Sequence, residues 1–189
     1  MKNSKNELRI KYKALRKSLS ASQLDEQSMA IANNILKLPL WHQTYFHVFL
    51  PIEEQNEVDT QYLLHIFSGK DKEIVVSKTE FETHKMTHYL LTDNTKIKKN
   101  KYNIPEPVDG IEVPPSKIDV VIVPLLAFDI KGNRVGYGKG FYDAFLADCK
   151  PDAIKIGVSF FEAENQITDL ITNDIALNYC VTPSQIYTF

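Results

Sequence analysis

Four consecutive residues, Val120-Val121-Ile122-Val123, are apolar at every position and leave no polar face. A strand of this kind is stable only where both of its faces are covered, which commits the chain to packed layers on each side of a parallel or mixed sheet. Other short apolar runs, at 45–50, 74–77, 87–91 and 154–158, read as further strands. They alternate with helical or irregular pieces, as in an α/β layered domain. The N-terminal part is different. After Ser4 as N-cap, Leu8, Tyr12, Leu15 and Leu19 recur at helical steps, with Lys5, Arg9, Lys13, Arg16 and Lys17 around them as a solvated face. Ser20 and Gln23 have capping-box spacing for a second helix, carried on by Leu24, Ile31 and Ile35 and stopped by Pro39. Residues 62–67 read as a third helix closed by Gly69. The segment 96–117 contains Ile104-Pro105-Glu106-Pro107 and Pro114-Pro115 and reads as a long irregular loop.

No repeat, low-complexity tract or linker divides the 189 residues, so one domain over 1–189 is expected. A domain of that size buries roughly 70% of its unfolded surface and needs no staples. Cys149 and Cys180 stand alone, with neither a disulfide framework nor zinc spacing around them. The polar start from Met1 to Arg9 and the lack of any apolar run near the ~20 residues of a membrane span point to an untargeted, cytoplasmic, non-membrane protein. A net charge of −2 argues against nucleic acid as a partner. A monomer acting on small molecules is expected.

Chemistry concentrates in 123–143. A buried strand leads into a turn at Lys131-Gly132-Asn133, then into Arg134-Val135-Gly136-Tyr137-Gly138-Lys139-Gly140-Phe141-Tyr142-Asp143, where glycines fall at every second position before a helix. Without Cβ atoms, such a loop lets backbone N–H groups approach an anion, and the helix start adds a positive dipole end. Arg134 supplies a forked donor set, Lys139 a point charge, and Asp143 a hard oxygen for magnesium. The spacing GxGxG after a turn is not the GxGxxG of a Rossmann strand. Asn133 and Gly140 stand where a Walker A loop needs Gly and Ser or Thr.

Other candidates are weaker. His84 and His88 are four apart, but the segment reads as a strand and they are taken as ordinary polar positions. Glu53, Glu54, Glu57 and Asp59 read as solvated surface. No GxSxG elbow or Cys/His pair suggests a protein nucleophile.

The string Pro124-Leu125-Leu126-Ala127-Phe128-Asp129 with Gly132 to Asp143 closely resembles the signature of the 5-formyltetrahydrofolate cyclo-ligases, also called methenyltetrahydrofolate synthetases. Lys5-Asn6-Glu7-Leu8-Arg9, Leu50 with Glu57-Val58-Asp59-Thr60, Ile104 to Pro107 and the tail around Asp174 match as well, in the expected order. The resemblance implies a three-layer α/β/α sandwich. It also implies that Lys5, Asn6, Glu7, Leu8 and Arg9, together with Arg134 to Tyr142, line an ATP site. Leu50, Glu57 and the residues from Tyr137 to Phe141 would contact a folate, and Asp143 and Asp174 would hold magnesium. Phe141 stands where many members have Tyr, and Asn178 where an Asp often follows Asp174.

The implied reaction closes 5-formyltetrahydrofolate to 5,10-methenyltetrahydrofolate with release of ADP and phosphate. It proceeds through phosphorylation of the formyl oxygen, with Lys139 and Arg134 stabilising the migrating group. Two other readings compete: a sugar-phosphate or CoA-handling α/β enzyme, and a nucleotide- or RNA-binding module using the basic N-terminal helix.

Overall fold

The computed structural model describes residues 3–189. Helices α1 (Lys5–Lys17) and α2 (Ala21–Ile35) start at their capping boxes, with Ser4 accepting from the Glu7 N–H and Ser20 from the Gln23 N–H. In each box the Glu or Gln side chain returns a bond to the cap, so two otherwise orphaned donors are satisfied. The elements that follow are β1 (Tyr45–His47), α3 (Gln61–Gly69), β2 (Glu73–Glu80), β3 (Lys85–Leu90), β4 (Ile97–Lys99) and β5 (Pro105–Pro107). Then come β6 (Val120–Pro124), β7 (Ala127–Phe128), β8 (Arg134–Val135), α4 (Phe141–Asp148), β9 (Ile154–Val158), β10 (Tyr179–Val181) and β11 (Ile186–Thr188).

Among the described residues, seven strands form one mixed sheet in the order β11-β10-β9-β6-β1-β2-β3. The five inner strands pair in parallel, and β3 and β11 close the edges antiparallel. From β1 the chain runs through α3 to β2 on one side, whereas β6 pairs with the other side of β1 and leads through α4 to β9. Right-handed crossovers running in opposite directions place their helices on opposite faces. Side-chain alternation agrees. Phe46, Val48, Val120 and Ile122 pack with Ile31 and Ile35 of α2 and Leu63 and Phe67 of α3, while Val121 and Val123 pack with Phe145 and Leu146 of α4. The all-apolar run is thus covered twice, and three layers result. Helix α1 lies apart from the sheet, its Leu8 and Tyr12 packed on Leu126, Ala127 and Val135.

Several expectations need correction. The strand expected over 45–50 is regular only over Tyr45–His47, with one more backbone bond from the Val48 N–H to the Val75 carbonyl, before the chain turns to the cavity at Phe49 and Leu50. The segment 96–117 is not wholly irregular: β4 and β5 form a small hairpin, and Glu106 turns inward to accept from the Thr79 N–H at 2.8 Å. Gly69 ends α3 without a left-handed cap, and the positive φ falls two residues later at Asp71. Strands β10 and β11 went unforeseen, since three residues carry too short a pattern to read. Arg16 is not on a solvated face. It occupies the same helical stripe as Leu8 and Tyr12 and is only 3% exposed.

Gly157 in β9 shows how tightly the second face is packed. A Cβ there would stand 2.5 Å from Leu125 Cδ2 and 2.7 Å from Leu177 Cδ1, both in the buried core. Gly157→Ala is expected to destabilise the fold by about 1–3 kcal/mol, the usual cost of overpacking. The change should be read as a lower urea midpoint at unchanged slope. An unchanged midpoint would mean that the two leucines have room to retreat.

Candidate active site

In open α/β sheets ligands bind beyond the carboxyl ends of the strands, where the winding direction reverses. Here that point lies between β1 and β6. A cavity of about 500 Å³ opens there, lined by His47, Phe49 and Leu50 from the end of β1 and Pro124 from the end of β6.

The glycine-rich loop forms one wall. Strands β7 and β8 pair as a hairpin whose turn is organised by Asp129, fully buried and accepting from the Lys131, Asn133 and Ile167 N–H groups and from Asn133 Nδ2. Gly136, Tyr137, Gly138, Lys139, Gly140, Phe141, Tyr142 and Asp143 all line the cavity. Gly138 (φ 90°) and Gly140 (φ 74°) are in left-handed conformations that disfavour a side chain. Gly140 also stands at the N-cap of α4 with no side chain to bond its first N–H groups, an arrangement that suits an anion.

Helix α1 holds this loop from outside. Arg9 donates from Nε to the Gly136 carbonyl at 2.9 Å and lies against Gly138, where a Cβ would stand 3.1 Å from its guanidinium carbon. Lys5, one turn earlier, reaches the cavity beside its ion-pair partner Asp174. Of the segment from Lys5 to Arg9, only these two line the cavity, because they share one helical face. Leu8 points into the core, the Glu7 side chain caps α1, and Asn6 is exposed. Val135 likewise is buried in the hairpin.

Arg134 lines the cavity but is already engaged, donating to Asp143 Oδ1 at 2.6 Å and to the Ile175 carbonyl. Asp143 Oδ1 also accepts from the Ile175 N–H at 3.2 Å, which ties the start of α4 to the 174–175 segment. Lys139 is the exposed cation on the loop. Asn178 has no part here: its side chain accepts from the Lys155 N–H at 2.8 Å. Among the described residues, no three His, Cys, Asp or Glu side chains gather as a metal cage. Asp143 and Asp174 nevertheless both face the cavity, which suits magnesium, an ion usually held by one or two carboxylates plus substrate phosphates.

The other end is apolar. Phe49, Ile52, Phe81, Met86, Tyr102 and Ile104 face Phe141, and the Phe81 ring lies 4.3 Å from that of Tyr102 and 5.3 Å from that of Phe141 between centroids. Glu57 is the carboxylate on this wall. It is buried, accepting from the Ile52 N–H at 2.7 Å and from the Tyr137 hydroxyl at 2.7 Å. Burial pushes its carboxyl above the ordinary range, against the pull of the Ile52 N–H, Arg16 and Tyr137. It is not the solvated surface that the acidic run suggests.

Most of the apolar wall was not legible in sequence, because scattered aromatic residues carry no motif. His47 and His88 were missed for another reason. Ser77 on β2 bridges them across the sheet, 2.6 Å from His47 Nε2 and 2.7 Å from His88 Nδ1, and only pairing of β1, β2 and β3 brings the three together. His88 is therefore a buried network member rather than an ordinary polar position, whereas His84 is exposed. Neither thiol is poised as a nucleophile, since burial pushes Cys149 up to about 11 and Cys180 well above its ordinary value.

An open α/β sheet with a glycine-rich, cation-bearing loop and an aromatic slot at its switch point is the arrangement of an enzyme acting on small molecules. The 5-formyltetrahydrofolate cyclo-ligase family model matches residues 1–170. A 5,10-methenyltetrahydrofolate synthetase from Aquifex aeolicus has a similar structure, with a TM-score of 0.83 and 30% identity over 97% of this chain and 92% of that one. A second, from Mycoplasma pneumoniae, shares the fold with a TM-score of 0.75 at 20% identity, over 95% and 98% of the two chains. The curated 5-formyltetrahydrofolate cyclo-ligase of Haemophilus influenzae is 26% identical over 82% of this chain and 85% of its own length. The chain belongs to the 5-formyltetrahydrofolate cyclo-ligase family.

The two histidines make a pH prediction. Burial lowers His88 from 6.5 to about 4, and lowers His47 well below its ordinary value, with His88 adding to the effect. Between these values the unfolded chain binds protons that the folded chain does not, so stability present above about pH 6.5 is lost as the pH falls toward 4. Replacing His88 by Gln should flatten the fall in unfolding free energy between pH 7 and pH 4.5 by about 1–3 kcal/mol. Parallel profiles for parent and variant would remove His88 as the cause.

Proposed function

We propose that this chain closes 5-formyltetrahydrofolate to 5,10-methenyltetrahydrofolate at the expense of ATP, which becomes ADP and phosphate. The observation that carries the reading is the meeting, in one cavity, of a glycine loop with cations and an aromatic slot with a buried carboxylate. A formamide carbon is a poor electrophile and its oxygen a poor leaving group. Transfer of the γ-phosphoryl group to that oxygen cures both faults: the neighbouring folate nitrogen attacks the carbon, and the oxygen departs as phosphate.

Protein work in such a reaction is positioning and charge stabilisation. Loop N–H groups and the start of α4 receive the phosphates, Lys139 supplies the mobile positive charge, and Lys5 and Arg9 approach from α1. Arg134 acts from its clasp with Asp143, steadying the loop and adding positive potential. Magnesium, when bound by Asp143 and Asp174, would offset the charge of the phosphates. The aromatic slot takes the flat folate ring and excludes water, while Glu57 accepts hydrogen bonds from its polar edge. The same reading takes the enzyme to be one domain over 1–189, monomeric and cytoplasmic. Among the described residues no helix is long and apolar enough to cross a membrane.

The nucleic-acid alternative is disfavoured by what the cations of α1 already do. Arg16 is buried, Arg9 bonds the Gly136 carbonyl and Lys5 pairs with Asp174, so three of the cations of α1 serve the fold and the cavity, and only Lys11, Lys13 and Lys17 are exposed on it.

Mixing the purified chain with ATP, magnesium and 5-formyltetrahydrofolate should produce the near-ultraviolet absorbance of the methenyl product. Equal rates with ATP omitted would overturn the proposal. Lys139→Ala is expected to lower kcat/KM by about 10- to 150-fold, equivalent to ~1.5–3 kcal/mol for a hydrogen bond to a charged group. Asp143→Asn should raise the magnesium concentration needed for half-maximal rate. A titration superimposable on the parent's would take Asp143 out of the metal site.

A further inference from the structure

Arg16 has no assigned part in the chemistry, yet it is a buried cation linked through Tyr137 to the Glu57 wall of the cavity. Its side chain runs between α1 and the loops, donating from Nη1 to the Tyr137 hydroxyl at 2.8 Å and from Nη2 to the Leu125 carbonyl at the end of β6. The Tyr137 hydroxyl in turn donates to Glu57 Oε1 at 2.7 Å. From the same residue, the Arg16 carbonyl accepts from Asn56 Nδ2 at 3.0 Å, holding the left-handed turn (φ 47°) just before Glu57. Four parts of the fold therefore meet at one residue: α1 itself, the end of β6 and the glycine loop through the guanidinium, and the Glu57 turn through the main-chain carbonyl.

We propose that Arg16 is a positioning residue of the substrate site, acting through the Tyr137 hydroxyl to fix Glu57 in the arrangement that receives the folate. This rests on the function proposed above. The chemistry favours such a relay over a merely structural ion pair. Arg16 makes no direct bond to a carboxylate. Its charge reaches Glu57 through a neutral phenol that lines the cavity. A tyrosine hydroxyl has a single proton, and accepting from Arg16 obliges it to spend that proton on Glu57. The orientation of the phenol is thus set, and Glu57 keeps one oxygen bonded to the Ile52 N–H and one to Tyr137. Leaving one buried member without its partner is costly, so the three behave as a unit.

Single replacements should then be equivalent. Arg16→Met and Tyr137→Phe are each expected to raise the KM for 5-formyltetrahydrofolate by about tenfold, the loss of one charge-assisted bond. The KM for ATP should change little, and the double variant should be no worse than either single one. A second readout distinguishes relay from packing. Glu57 is faced by Arg16 from α1, Tyr137 from the glycine loop and Tyr142 from α4, besides the Ile52 N–H. Without the guanidinium, Glu57 takes up its proton at higher pH, so the acid limb of the folate kcat/KM profile should move upward in Arg16→Met and stay near the parent's in Arg16→Lys.

Multiplying effects in the double variant, or an unaltered folate KM in Tyr137→Phe, would overturn the inference. If Arg16→Met fails to fold, Tyr137→Phe decides alone, because it removes the relay atom while leaving the buried cation in place and bonded to the Leu125 carbonyl. A parent chain that forms no product defeats the proposed function instead. A normally active parent whose variants do not couple defeats only this relay.

Discussion

A loop with glycine at every second position has few side chains with which to hold its own shape, and the rest of this structure answers to that constraint. The loop from Gly136 to Gly140 is fixed by donors from elsewhere: Arg9 on the Gly136 carbonyl, Arg16 on the Tyr137 hydroxyl, and Arg134 clasping Asp143 just beyond it. Each of these cations is half-buried or buried and already has a partner. They organise the site before any ligand arrives, which lowers the ordering cost of binding. This accounts for the position of α1. It packs on the β7–β8 hairpin rather than on the sheet, because its task is to brace that loop.

The sheet does a different job. Opposed crossovers from β1 create the cleft, and the ends of β1 and β6 deliver its floor. Polar groups and apolar wall are then segregated along one cavity. Glu57 apart, the cations and carboxylates lie toward α1 and α4, and the aromatic slot lies toward β3 and the β4–β5 hairpin. Such separation suits a ligand pair with one highly charged member and one flat one.

Some of this was legible along the chain. Ser4 and Ser20 with their partners three residues on marked two helix starts, because a capping box is a local bond pattern. The uniformly apolar 120–123 run announced a strand covered on both faces. The glycine spacing located the loop, and the resemblance brought Lys5, Arg9, Leu50, Glu57 and Asp174 to the same cavity. Arg16 was misread because charge in a helical pattern argues for solvent, and only the neighbours of Leu8 and Tyr12 make that position interior. His47, Ser77 and His88 lie on three strands and share no local signal.

The sequence by itself determined the starts of the first two helices, the central strands, where the glycine-rich loop lies, and that a sheet must be covered on both sides. These follow from short-range bonding and from the period of apolar residues, which act within a few positions. Tertiary structure alone decided which side chains share the cavity, how the Arg16 guanidinium comes to be linked through Tyr137 to Glu57, and why Gly157 has no room for a methyl group. Those outcomes depend on strand order and on close packing between distant segments, and neither is written in any local pattern.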